Sequence, residues 1–146
     1  MKILINFSLA LIFCGGFFSC SDDVVATVDQ PKVVFAATLS GAQEVPAVTT
    51  TATGTATLTF NTVTRAFDLQ VTHTIPNATN GHIHKGAAGV NGGAVIPFVT
   101  FASPINFQFN VLDLAQQADL YDGLYYVNIH TAAFPGGELR GQLLRK

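Results

Sequence analysis

Three of the four histidines in this 146-residue chain stand at spacings that could do chemistry. His82 and His84 flank Ile83, and in a strand, where successive side chains point to opposite faces, the two imidazoles share one side. That is half of a metal site. Further along, Tyr125, Val127 and Ile129 form an apolar set, so Asn128 and His130 face the other way. Leu139 and Leu143 go inward in the last strand, which turns Glu138, Arg140 and Gln142 outward. If Ile83, Val127, Ile129 and Leu139 all contact the core, then His82, His84, Asn128, His130, Glu138 and Arg140 lie on the exterior and can converge on one patch. Three neutral imidazoles there would suit Zn(II) or Cu(II), ions that take nitrogen ligands readily, with a carboxylate or water completing the shell.

The same residues have a structural reading, and it is the commoner arrangement. His82 and His84 would form a polar strand edge bonded to loop carbonyls near Gly81 and Gly86, and His130 would brace the turn Pro135-Gly136-Gly137. His73 shares parity with Phe67, Leu69 and Val71, which makes it a half-buried strand-end histidine rather than a ligand. Glu44 is a candidate carboxylate ligand or partner of Arg140, with holding its own loop as the favoured role. Arg140 beside His130 could bind an anion, but Glu138 and Arg140 on alternate positions more often form a solvated face. The glycine-rich stretch from Gly86 to Gly93 lacks the strand-to-helix context of a phosphate loop and reads as a flexible turn. No serine lies in a nucleophile-elbow pattern, and no acidic pair is spaced to oppose across a cleft. An enzyme is therefore the weaker reading.

The elements that must position these groups are strands. Thr, Val, Phe and Ala dominate, with Gly and Pro at short intervals, a composition suited to a pleated, half-buried surface. Phe35, Ala37 and Leu39 make one inward set, Ala56, Leu58 and Phe60 a second, and Phe67, Leu69 and Val71 a third, with Asn61 to Thr64 as the hairpin turn between the last two. Further strands are expected at residues 82–84, Val95 to Phe101, Ile105 to Leu112, Leu124 to Thr131 and Glu138 to Leu144. Only Asp113 to Asp122 has helical character: Asp113 can cap it, and Leu114, Ala118 and Tyr121 share a face. Seven or eight short strands predict an all-β fold, a single antiparallel Greek-key β-sandwich with one short crossover helix.

The amino-terminal region reads as an address. Lys2 precedes an apolar run from Ile3 to Phe18, too short and irregular for a spanning helix, and Ser19 directly before Cys20 suits a lipoprotein signal peptidase, although Phe17 stands where leucine is usual. Cys14 follows bulky Phe13 and is a poorer candidate. The expected organisation is a signal peptide over 1–19, lipidation at Cys20, an acidic tether over 20–32 and one domain over 33–146. Ser21-Asp22-Asp23 resembles the short acidic signal that sends some lipoproteins to the outer face of the outer membrane. The expectation is thus an outer-membrane lipoprotein, periplasmic or surface-exposed, with the membrane as partner through its lipid anchor. Removal of the signal leaves 127 residues, enough for one core. Both cysteines lie in the signal region, so the domain has no disulfide or thiolate site to draw on. Six Lys and Arg against nine Asp and Glu, without a basic cluster, argue against nucleic acid as partner.

Four motifs in order then carry a family resemblance: Ala37-Thr38-Leu39-Ser40-Gly41-Ala42-Gln43-Glu44-Val45-Pro46, Ala52-Thr53-Gly54-Thr55-Ala56, Gly81-His82-Ile83-His84-Lys85-Gly86, and Tyr126 to Thr131 followed by Pro135-Gly136-Gly137-Glu138-Leu139-Arg140-Gly141-Gln142. From about Val33 to Leu144 the chain resembles the CHRD (chordin-type) domain. The resemblance implies a sandwich fold and a binding role, since such domains occur in chordin, a secreted binder of growth factors, and in many exported bacterial proteins. It implies no reaction. The His-x-His strand also looks like the copper-binding strand of copper-zinc superoxide dismutases, but that enzyme needs six histidines and an aspartate, and no second cluster follows His84. Three classes remain: a binding module for a protein or glycan, which is the leading reading; as the alternative, a copper- or zinc-binding lipoprotein using His82, His84 and His130; and, least supported, a metal-dependent oxidoreductase.

Overall fold

A computed structural model describes residues 30–146. The expected signal, its cysteine Cys20 and most of the expected tether lie outside the described residues. Nine strands and one α-helix form among the described residues: β1 (Lys32–Ser40), β2 (Thr53–Asn61), β3 (Phe67–His73), β4 (Ala78–Lys85), β5 (Gly93–Pro97), β6 (Ile105–Phe109), α1 (Leu114–Tyr121), β7 (Tyr125–Thr131), β8 (Leu139–Gln142) and β9 (Leu144–Arg145). The all-β expectation with a single short helix holds. The strands make one continuous antiparallel sheet in the order β5-β4-β7-β8-β1-β2-β3-β6, with β9 on β1. Its two halves curl toward each other and supply both layers of the core, so the two faces expected of a sandwich belong to one sheet.

Period-two alternation sets which side chains enter that core. Phe35 and Leu39 of β1, Ala56, Leu58 and Phe60 of β2, Phe67, Leu69 and Val71 of β3, Ile83 of β4, Val127 and Ile129 of β7 and Leu139 of β8 are all buried together. Each fully buried aliphatic or Phe contributes about 1.5–3 kcal/mol, which is what the domain relies on in place of disulfides. The register is fixed along the hairpin β1–β2, from Lys32 opposite Asn61 to Ser40 opposite Thr53. A one-residue slip would turn the whole apolar set to solvent.

Several boundaries move. The strand expected over Val95 to Phe101 runs from Gly93 to Pro97, and the one expected over Ile105 to Leu112 ends at Phe109. Asp113 caps α1 as expected, accepting from the Gln116 backbone while the Gln116 side chain accepts from the Asp113 N–H. The buried residue of α1 is Leu120, however, and Leu114 is 77% exposed. The described chain is tied to the domain ahead of β1: the side chain of Gln30 accepts from Asn61, and the carbonyl of Pro31 accepts from Thr62.

Candidate metal centre

Strand register brings the histidines together. β4 lies beside β7 and β7 beside β8, with His82 opposite Asn128 opposite Arg140, and His84 opposite Tyr126 opposite Gln142. Because Ile83, Val127, Ile129 and Leu139 are buried on the core side, the even-numbered residues share the other face, as parity requires. That face is not external. Asn128 is 3% exposed, His130 8% and Arg140 2%, which overturns the expectation of an outward patch with Arg140 as part of a solvated face.

What covers it is the connection between β4 and β5. Arg140 donates to the carbonyls of Ala87 (3.0 Å) and Val90 (2.9 Å) and to Oδ1 of Asn91 (3.4 Å). Gln142 donates to the Gly86 carbonyl at 3.0 Å, and the Tyr126 hydroxyl accepts from the Gly92 N–H at 3.0 Å. The glycine-rich stretch is thus a clamped cover, not the flexible turn its composition suggested. Gly92 is required there: a Cβ would stand 1.6 Å from the Lys85 carbonyl oxygen. On the other flank the loop after β1 brings in Glu44, which is 6% exposed.

Beneath the cover, one nitrogen from each of His82, His84 and His130 lies within 4.8 Å of the others. Nδ1 of His84 is 2.9 Å from the Gly92 carbonyl oxygen and Nδ1 of His130 is 3.0 Å from that of Pro135. A carbonyl only accepts, so both Nδ1 atoms carry the proton and both Nε2 atoms keep their lone pairs. Nε2 of His84 is buried without a partner, and Nε2 of His130 stands 3.3 Å from Nδ1 of His82. The structural and metal readings therefore use different nitrogens. The turn at Pro135 is braced as expected, and such outer hydrogen bonds are what orient histidines toward a metal. Tetrahedral bonds of about 2.0–2.1 Å put two nitrogens on one ion about 3.3 Å apart, the spacing already present between His82 and His130.

Burial holds all three imidazoles below the usual histidine pKa; the other two imidazoles lower His82 further, Arg140 lowers His84 and His84 lowers His130, while the bonds to Gly92 and Pro135 partly offset the effect. Neutral rings are the ligand form. Tyr126, whose neighbours on β4 and β8 lie to either side, stacks on His84 with centroids 5.0 Å apart and carries the Arg140 guanidinium 3.6 Å from its ring centre. Sequence reading did not single out Tyr126, although its even parity in β7 was the available signal.

The remaining candidates divide. Asn128 donates from Nδ2 to Glu44 Oε2 at 3.4 Å, while Asn128 Oδ1 and Glu44 Oε1 are buried without partners. Burial lifts the Glu44 carboxyl to about 7, against the opposing pull of Arg140 and the Asn128 bond. Glu44 is not one of the grouped metal-ligating side chains, and it makes no ion pair with Arg140 within 4.0 Å. Holding the loop against Asn128 is its role here. Glu138 leaves the cluster altogether: its carboxylate accepts from Thr50 and Thr131, each at 2.8 Å. His73 ends β3 and is buried rather than half-buried, with Nε2 2.9 Å from the Phe101 carbonyl oxygen and Nδ1 without a partner.

The sequence around this geometry is shared with a family. No curated protein and no solved structure matches the chain. The family model of the CHRD domain matches residues 35–143, from the first core phenylalanine of β1 to the leucine that follows β8, and the chain therefore belongs to the CHRD domain family.

Proposed function

We propose that this CHRD domain is a transition-metal-binding module, holding one zinc or copper ion on His82, His84 and His130. The signal over 1–19 would export it, and a lipid on Cys20 would hold it at the membrane. The observation that carries the reading is the division of labour within the imidazoles. Backbone carbonyls hold Nδ1 of His84 and His130, which leaves their Nε2 lone pairs for another partner, and one nitrogen of each of the three rings lies within 4.8 Å of the others. Neutral rings at physiological pH and a half-exposed His82 leave the site open to an ion arriving from solvent. His82 would give up the proton on Nδ1 to ligate, taking the other tautomer with Nε2–H toward water.

Titration of the signal-less domain with zinc, followed by calorimetry at several pH values, tests this. Binding of one ion per chain, weakening as the pH falls below the histidine range, is expected. Heat that is absent, or that survives a His130→Ala change, overturns it. Palmitate incorporation that is lost in Cys20→Ser tests the anchor separately.

A second reading, recognition of a protein or glycan, has its own observation. An open cleft of about 660 Å³ lies beside the end of β7, lined by Thr50, Thr74, Asn77 and Thr131 with Ile75, Pro76 and Glu138, whose carboxylate already accepts from Thr50 and Thr131. Such a mixture suits a neutral polar ligand.

A further inference from the structure

At one end of the domain the described chain begins beside the β2–β3 turn. The chain enters there: Pro31 is bonded to Thr62 of the β2–β3 turn, and the segment after β6 is tied to the same turn, with the Leu112 N–H donating to the Arg65 carbonyl. Three apolar side chains are exposed on these pieces, Val63 at 61%, Val111 at 48% and Leu114 at 77%. Lys32 and Arg65 are exposed beside them. Arg65 holds φ 62°, a left-handed conformation that a bulky side chain adopts only when the surrounding turn imposes it.

We infer that this end rests on the lipid surface, with Val63, Val111 and Leu114 entering the boundary between headgroups and acyl chains and Lys32 and Arg65 against anionic headgroups. The inference rests on the anchor reading at Cys20. Ten residues separate Cys20 from Gln30. Fully extended they reach at most about 35 Å. An anchored domain is therefore held with this end nearest the bilayer, where a few apolar side chains and nearby cations add to a single-site anchor. The eight-residue rise from Lys32 to Ser40, which stands opposite Arg140, places the histidine cluster about 26 Å farther out. The metal site would face away from the membrane, toward whatever delivers or accepts the ion.

The test uses the full-length, processed protein in vesicles of phosphatidylethanolamine and phosphatidylglycerol. A fluorophore is placed at Val63→Cys, at Leu114→Cys and, at the far end, at Ala133→Cys, and is quenched by headgroup-spin-labelled lipid. Quenching at 63 and 114 at least about twofold that at 133 is expected, falling to the level of 133 when Asp replaces whichever of Val63 and Leu114 is unlabelled. Intact mass reports acylation in the same samples. Equal quenching at all three sites with Cys20 acylated overturns the docking surface alone, whereas an unacylated Cys20 overturns the anchor and the inference with it. Protection that follows protein density and not lipid contact would assign the surface to a second copy and also overturn the proposal.

Discussion

Replacing Glu44 with glutamine should flatten one component of the pH dependence of folding. In the native state burial keeps the Glu44 proton until about pH 7, whereas the unfolded chain releases it near 4.5. Between those values the native state holds more protons than the unfolded state, so this group makes stability fall as pH rises. About 2.5 pH units at 1.36 kcal/mol each give about 3 kcal/mol, fully felt above pH 7 and absent below 4.5. Glutamine has the same shape and stays neutral. Its amide can accept from Asn128 Nδ2 and donate to the unpartnered Asn128 Oδ1, a pairing that ionised glutamate cannot complete. Urea unfolding of the domain and of Glu44→Gln, from pH 4.5 to 8, isolates the term as the difference between the two curves, because the histidine contributions cancel. The variant should gain up to about 3 kcal/mol relative to the parent across that range. A parent that gains on the variant with rising pH would mean that Glu44 works as an ionised partner of Arg140, and a difference that stays constant would mean that burial does not hold its proton; either result refutes the prediction.

Other changes separate the cover from the cluster beneath it. Tyr126→Phe removes the hydroxyl that accepts from Gly92 and should cost about 1 kcal/mol, with faster amide exchange confined to residues 86–92. Arg140→Met leaves the Ala87 and Val90 carbonyls without their donor and should lower the melting temperature by several degrees, a loss of about 2–4 kcal/mol. Gly92→Ala forces a carbon into the Lys85 carbonyl and should displace the loop, read as a loss of soluble expression or a shift in the Tyr126 ring resonances. The histidines make a sign prediction of opposite sense to Glu44. Their lowered pKa values mean that the unfolded chain binds more protons as pH falls below 6.5, so the metal-free domain should lose stability there, and the loss should shrink in His82→Gln.

Much of this arrangement was legible in the sequence because strand parity is a local, binary property. Ile83 between two histidines, and Val127 and Ile129 around Asn128, were enough to put His82, His84 and His130 on one face. The Asp113 cap was legible for the same reason, since its partner Gln116 is three residues away. What parity cannot carry is where a loop travels. Nothing in the glycine-rich stretch 86–93 says that its carbonyls will meet Arg140 and Gln142 from a strand some fifty residues later, so the face read as exterior turned out to be covered. Glu138 shows the converse. It stands one residue before β8 with the right parity, but Thr50 and Thr131 offer it two hydroxyl donors and draw it to another place.

The central claim is that three imidazoles under this cover take one ion. Elemental analysis of the signal-less domain after equilibration with zinc and, separately, copper and then exhaustive dialysis tests it most directly, with His84→Ala and His130→Ala in parallel and unfolding curves to show that both remain folded. One equivalent of metal should remain on the parent chain and none on either folded variant. A parent chain that retains neither metal, or variants that retain as much as the parent, would contradict it.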